Sequence, residues 1–350
     1  MSIIFQTKSG ELPIDAQNDS ETVLFAGLGS GLTLPYECAT GTCGTCRARV
    51  MSGDVFDVWP DAPGAQRLKR DRGDILMCQT RARGNCVIRV PALVTQAEEG
   101  APRRFIGRIN ELSKLTSDVI QFDVVLNEKA TFSAGQFMVV NAPGVSGGRA
   151  YSMVNYEPQT GHLTFVIKRK PGGGFSDWLF KSAGKDAEIS LFGPLGKATF
   201  QPETDGDLIC ITGGSGIAGI MSILEHATQA KHFPGYSGQL YFGARTLADT
   251  FYVDKLAALT EMSSGGLKVT LALSHEAAPS STHPASELIR LEGGFVHEVA
   301  ARVLSENSVG LGENAVGFVA GPPPMVDAAI RVLLGQGRLP PDRIRYDKFS

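Results

Sequence analysis

Three cysteines fall within nine residues, as Cys38-ATGT-Cys43-GT-Cys46, and a fourth, Cys78, follows a gap of 31 residues. Thiols this close can converge on one metal centre if the loop that carries them curls. Gly41 and Gly44 inside the loop allow positive φ and bring backbone N–H groups close to the sulfurs. C-x4-C-x2-C with a distant fourth Cys is the plant-type [2Fe–2S] spacing. The rival is a structural four-cysteine zinc site, whose ligands usually come as two short C-x2-C-like knuckles. Three ligands on one loop with the fourth alone suit the cluster better. None of the six His (162, 226, 232, 275, 283, 297) lies near this loop in sequence. The other two thiols, Cys86 in CVIRV and Cys210 in LICIT, read as buried small hydrophobes.

A second chemical signal is Gly214-Ser215-Gly216-Ile217-Ala-Gly219, a G-x-G-x-x-G pattern directly after a strand-like run and opening a helix. Unsatisfied N–H groups and the helix dipole make such a turn suited to phosphates. A dinucleotide fingerprint also wants an acid about 20 residues on, at the end of the second strand. There the chain reads YFGARTLAD, with Gly243 and Arg245 and no acid at the strand end. This weakens an ordinary Rossmann dehydrogenase and leaves a different nicotinamide-binding fold.

The elements that must hold these loops fall into three segments. Residues 1–97 alternate short strands (ELPIDA, Arg47–Met51, Cys86–Val90) with one helix through VLFAGL, which Ser20 is placed to cap. QAEEGAP, residues 96–102, is a polar linker. In 103–203 the runs DVIQFDVVL, GQFMVVNAP and HLTFVIKRK alternate with Gly/Pro turns, predicting a small antiparallel barrel. In 204–350 strands (DLICIT, QLYFGA, LKVTLAL, AVGFVA) alternate with helices at Ile217–Ala230, Phe251–Met262 and Met325–Leu334, predicting a parallel α/β sheet.

The 350 residues carry a net charge of −3, which argues against nucleic acid as the main partner. Residues 1–97 hold ten basic and ten acidic side chains, so they set no sign for electrostatic steering. MSIIFQTKSGELPID has no secretory pattern. LICITGGSGIAGIMSIL is short of the roughly 20 apolar residues of a membrane span, so no membrane insertion and a cytoplasmic location are expected.

Taken in order, the ferredoxin-like loop, Arg149-Ala-Tyr151-Ser152, PGGGFSDWL, GGSGIAG and AGPPPM resemble a ferredoxin–NADP reductase-type flavoprotein fused to a ferredoxin. More narrowly, the chain resembles the reductase components of bacterial multicomponent oxygenases. VWPDAPG and AGPPPMVDAAIRVLL look closest to reductases of carbazole-type dioxygenases and toluene monooxygenases. The resemblance implies a β-grasp ferredoxin, a six-stranded antiparallel FAD barrel and a parallel α/β nicotinamide-binding domain. It implies cluster ligation by Cys38, Cys43, Cys46 and Cys78. For FAD it implies Arg149 at the pyrophosphate, Tyr151 against the isoalloxazine and Ser152 near flavin N5. Backbone of Val166, Ile167 and Lys168, a helix opening at Gly173, Gly174, Phe175 and Ser176, and Phe349 as an aromatic cover complete that set. For NADH it implies Gly213, Gly214, Ser215, Gly216 and Ile217 at the pyrophosphate and nicotinamide, Gly243 and Arg245 near the adenosine, and Gly321 and Pro322 near the nicotinamide. No acid, base or nucleophile is implied. The implied activity is that of a monomeric reductase passing electrons from NADH through FAD and [2Fe–2S] to a terminal hydroxylating oxygenase or its Rieske-type ferredoxin. The same cofactors could serve another acceptor, such as a sugar-deoxygenation enzyme, and the rival of another class is a nucleotide-binding module with structural zinc. Two positions depart from the family: Ala320 stands where Cys often precedes G-P-P, and Gly219 where Pro is common.

Overall fold

In a computed structural model the described residues are 1–16, 21–97, 100–276, 287–306 and 311–348. By contact the chain divides into two compact units, Met1–Gly107 with Met138–Ala150 and Glu188–Leu195, and Arg108–Phe137 with Tyr151–Ala187 and Gly196–Ser350.

The N-terminal segment contains β1 (Ser2–Thr7), β2 (Gly10–Asp15), α1 (Val23–Gly29), β3 (Arg47–Ser52), β4 (Val55–Asp57), β5 (Asp74–Leu76), β6 (Thr80–Ala82) and β7 (Cys86–Arg89). Ile3 and Phe5 alternate inward along β1. β1 pairs antiparallel with β2 but parallel with β7, and β7 pairs antiparallel with β3. The resulting mixed sheet, β2-β1-β7-β3-β5, is the β-grasp arrangement. Its helix packs closely: a Cβ on Gly27 would stand 2.3 Å from Leu34 Cδ1. The cap differs from the expected one. Thr22, not Ser20, accepts the Phe25 N–H at 3.5 Å, because it stands at the three-residue spacing a cap requires; Ser20 lies outside the described residues. The expected linker is anchored at its start, where Ala97 N–H donates to Gly31 O at 2.6 Å.

The middle sheet contains β8 (Arg103–Lys114), β9 (Val119–Thr131), β10 (Phe137–Asn141), β11 (Arg149–Ser152), β12 (Gln159–Lys168) and β13 (Glu188–Leu195), with α2 (Gly174–Lys181) between the last two. It is a six-stranded antiparallel half-barrel in the order β11-β10-β13-β8-β9-β12. Ile120, Phe122, Val124 and Leu126 of β9 bury alternate positions, the two-residue period of DVIQFDVVL made physical.

The last sheet is wholly parallel, in the order β17-β16-β15-β14-β18-β19. Its elements are β14 (Leu208–Gly213), α3 (Ile217–Gln229), β15 (Gly238–Ala244), α4 (Val253–Met262), β16 (Leu267–Leu273), β17 (Ile289–Gly293), α5 (Val296–Glu306), β18 (Val316–Gly321), α6 (Pro323–Gly335) and β19 (Ile344–Lys348). Strands such as LICIT are buried on both faces, as a sheet covered by helices demands. β17, α5 and β19 are additions to the sequence reading. LICITGGSGIAGIMSIL resolves into β14 and α3, and no helix among the described residues is long and apolar enough to cross a membrane. The chain leaves β14 for β15 on one side, while β18 pairs on the other. This switch point opens a crevice at the carboxyl ends of the strands.

Candidate functional site

The cysteine loop curls through three left-handed positions, Ala39 (φ 55°), Gly41 (φ 92°) and Gly44 (φ 83°). Backbone N–H groups of Thr40 and Cys43 then point at Cys38 Sγ (3.5 and 3.4 Å), and that of Thr45 points at Cys43 Sγ (3.5 Å). Cys78 sits on a tight turn between β5 and β6, held by Met77 N–H to Cys46 O at 3.1 Å and by Thr80 Oγ1 to Leu76 O at 2.9 Å. Its Sγ lies 3.2 Å from Cys46 Sγ. The four thiols are therefore two pairs, Cys38 with Cys43 and Cys46 with Cys78. Within each pair the two thiols share a hydrogen: Cys38 is brought down to about 4 while Cys43 is pushed up, and Cys46 is lowered while Cys78 is raised. Two ligands for each of two irons is what a [2Fe–2S] centre takes. The N–H groups aimed at sulfur fit thiolate ligands, whose charge they stabilise.

The R-x-Y-S strand is β11. Ser152 is buried, and its Oγ has no hydrogen-bond partner among the described residues. An orphaned hydroxyl at that depth is costly unless something polar meets it, and this is the observation that fits a flavin. The Tyr151 ring lies 5.4 Å from that of Phe175, tilted by 42°. Arg149 is half-buried and donates from Nη1 to Gly148 O at 2.9 Å. Val166, Ile167 and Lys168 end the edge strand β12, so one edge of their backbone faces away from β9. α2 starts at Gly173 without a side-chain cap, leaving first-turn N–H groups for an anion. Ser176 spends its hydroxyl on the loop itself, accepting from Lys170 N–H (3.1 Å) and donating to Lys170 O (3.0 Å). Phe175 is buried against Phe122 and Trp178. Both can therefore serve an anion only through backbone. Phe349 lies outside the described residues.

A cavity of about 400 Å³ opens at the carboxyl ends of β14, β15 and β18, walled by Gly213, Gly214, Ser215, Gly216, Gly243, Arg245, Gly321 and Pro322. Gly214 takes φ 56°, and a Cβ on Gly216 would stand 2.5 Å from Ala320 O, so only glycine fits between α3 and β18. Ile217 is fully buried and forms no part of the wall. Ala320 is buried with its carbonyl accepting from Thr212 Oγ1 at 2.9 Å, an arrangement that uses only backbone at that position. A Cβ on Gly219 would lie 3.5 Å from Ser152 Cβ, so the start of α3 meets the buried end of β11. The wall also contains Lys168, Ser274, Phe295 and Asp249, of which the last three were not apparent as site residues in sequence. Asp249 had one available signal: T-L-A-D is a capping box, in which Thr246 and Asp249 bond reciprocally.

Three family models match in this order: a 2Fe-2S iron–sulfur cluster binding domain over residues 7–83, an oxidoreductase FAD-binding domain over 107–200, and an oxidoreductase NAD-binding domain over 210–331. The chain is 34% identical over 334 residues to the ferredoxin–NAD(P)+ reductase CarAd of Metapseudomonas resinovorans, covering 94% of each. It is 35% identical over 330 residues to the ferredoxin–NAD+ reductase component of the alkene monooxygenase system of Xanthobacter autotrophicus, covering 94% of this chain and 95% of that one. The structure of the ferredoxin reductase in carbazole 1,9a-dioxygenase matches with a TM-score of 0.83 and 31% identity, over 100% of this chain and 99% of that one. With paired thiols, a buried serine hydroxyl on β11 and a switch-point cavity in the same order along the chain, this protein belongs to the ferredoxin–NAD(P)+ reductase components of oxygenase systems, the iron–sulfur flavoproteins that use NADH, FAD and a [2Fe–2S] cluster.

Proposed function

We propose that the acceptor is a terminal hydroxylating oxygenase acting on aromatic or hydrocarbon substrates, or the Rieske-type ferredoxin that feeds one. When bound, FAD takes the hydride pair of NADH and the cluster delivers those electrons singly, which iron acceptors require. The protein's own groups bind and orient. In this reading N–H groups at Gly213–Gly216 and the start of α2 hold the two diphosphates, with Arg149 adding a permanent charge at the flavin's. Ser152 Oγ gives its unused hydrogen bond to the flavin edge, and Gly321 and Pro322 bound the nicotinamide. Cys38, Cys43, Cys46 and Cys78 hold the cluster, and their use as ligands suits a reducing cytoplasm.

The observation that carries the flavin part of the reading is the buried Ser152 hydroxyl beside the start of α3, unpartnered among the described residues. An exit face is also present: Cys43 is exposed, and Val58, whose N–H donates to Gln79 O at 2.8 Å beside Cys78, is exposed together with Trp59. Anaerobic titration of the loaded protein with NADH tests it. Flavin absorbance falls first and cluster absorbance follows; a cluster that never responds sinks the proposal. Coupled hydroxylation with candidate oxygenases then assigns the acceptor.

A further inference from the structure

A 2′-phosphate on the adenosine ribose distinguishes NADPH from NADH, and Arg245 alone would suit such a group. Its surroundings say otherwise. The β14–β15 register sets Gly213 beside Gly243, so Arg245 lies two residues beyond the strand position opposite the phosphate-binding turn. That is where the ribose lies in doubly wound sheets, and where an acid usually meets its hydroxyl. The strand end supplies Ala244 instead. The acid comes back from the following turn: Asp249 lines the same cavity. Its Oδ2 accepts from Thr246 N–H (3.2 Å) and Thr246 Oγ1 (3.0 Å), and its Oδ1 accepts from Arg245 Nη2 at 2.9 Å. A carboxylate has about four lone-pair sites, so Oδ1 retains one.

We propose that Asp249 and Asp118 set the nucleotide preference: Asp249 accepts the 2′-hydroxyl of NADH, and the two carboxylates hold Arg245 in a state that repels a 2′-phosphate. This rests on reading the cavity as the dinucleotide site. Asp118 Oδ2 lies 3.7 Å from Arg245 Nη2 and 3.2 Å from Lys168 Nζ. Among the described residues Arg245 thus already faces two carboxylates, Asp249 at 2.9 Å and Asp118 at 3.7 Å, so a dianionic phosphate meets a guanidinium whose charge is spent and two like charges beside it. Burial pushes the Asp249 carboxyl up, but Arg245 and Thr246 bring it below the usual range, so it is charged at neutral pH. Rejection by an introduced like charge is a familiar route to specificity.

The test uses the FAD-loaded full chain, native and as Asp118→Asn and Asp249→Asn. kcat/KM is measured for NADH and NADPH with ferricyanide as acceptor, and calorimetry gives Kd for ADP and for 2′,5′-ADP, which needs no turnover. Native protein should prefer NADH by roughly 100-fold and ADP over 2′,5′-ADP in the same sense. Each variant should lower both ratios about tenfold, the value of one unfavourable charge contact. Asp118→Asn leaves the Asp249–Thr246 bonds in place, so its result stands even if Asp249→Asn disorders the turn. Equal use of both nucleotides by native protein, or ratios unmoved in Asp118→Asn, overturns the proposal. Failure to bind or oxidise either nucleotide overturns the reading of the cavity itself.

Discussion

Gly216→Ala should damage both stability and nicotinamide turnover, and the structure sets the size of each effect. The new methyl would stand 2.5 Å from Ala320 O, 2.7 Å from Ala320 C and 2.9 Å from Gly321 N, all of them backbone atoms. An ordinary contact begins near 3.4 Å, so one side must retreat by 3.4 − 2.5 = 0.9 Å. β18 is held between β14 and β19 and has Ala320 O bonded to Thr212. The start of α3 is therefore the side that moves, taking the Gly214–Gly216 N–H groups proposed to hold phosphate with it. Overpacking of this kind costs about 1–3 kcal/mol, or roughly 2–12 °C in Tm for a unit of this size. A misplacement near 1 Å also costs on the order of 10²-fold in kcat/KM. Gly219→Ala is the control, because its methyl would meet Ser152 Cβ and Gly135 O at 3.5 Å, ordinary contact distance, inside a helix. It should gain up to about 1 kcal/mol from helix propensity. Thermal melting of the FAD-loaded protein and NADH–ferricyanide kinetics measure both. A Gly216→Ala protein with native Tm and kcat/KM, or a Gly219→Ala protein more damaged than it, would refute the packing argument.

Ser152→Ala removes a hydroxyl that has no partner among the described residues, so flavin-free protein should melt no lower than native, while NADH-driven flavin bleaching in a stopped-flow cell slows on the order of 10²-fold. A lowered flavin-free Tm would show the hydroxyl to be structural. Asp205→Asn should cost about 3–5 kcal/mol in denaturant titrations, because it strands Arg345, which holds the buried carboxylate at 2.5 and 2.8 Å. Asp207 accepts from Ser237 N–H (2.7 Å), Ser237 Oγ (2.9 Å) and Gly312 N–H (2.9 Å). Burial pushes its carboxyl up, but these bonds bring it below 3.8. A depressed folded pKa gives stability that is present above the unfolded value and lost as pH falls through the folded one. Asp207→Asn should therefore melt lower than native at pH 7, with the gap closing below about pH 4; a gap independent of pH between 7 and 2 contradicts this.

The chemistry most legible in the sequence was the most local. Cys38, Cys43 and Cys46 point to a metal centre because one loop carries three thiols, and Gly213–Gly216 reads as a backbone turn left open at a strand end. The pairing of Cys46 with Cys78 was not legible, since it depends on the β5–β6 turn reaching back to the loop. Asp249 was hidden for a related reason: a strand-end acid is expected in register, whereas here a capped turn folds the acid back to the same place. α5 carries a helical period in Val296, Val299, Ala300, Val303 and Leu304, yet the half-polar strand IRLEG before it has no alternation strong enough to mark the βα unit. β19, IRYDK, is equally polar and is a strand because β18 offers it an edge. Thr22, not Ser20, is the cap because it directly precedes Val23 and stands three residues before the Phe25 N–H it accepts.

The parallel ladder between β1 and β7, from Ile3↔Cys86 to Gln6↔Arg89, encloses between its two strands all four thiols proposed to hold the cluster. During synthesis, therefore, those thiols exist before the sheet around them can close. From Cys38 to Arg89 is about fifty residues, and at a translation speed of roughly 5–20 residues per second the first thiol waits some 3–10 s for its enclosing strand. In that interval the sulfurs are open to air oxidation and to competing metal ions. Cluster content in recombinant material should accordingly track iron supply and thiol reduction while the chain is being made, more than the conditions of later purification.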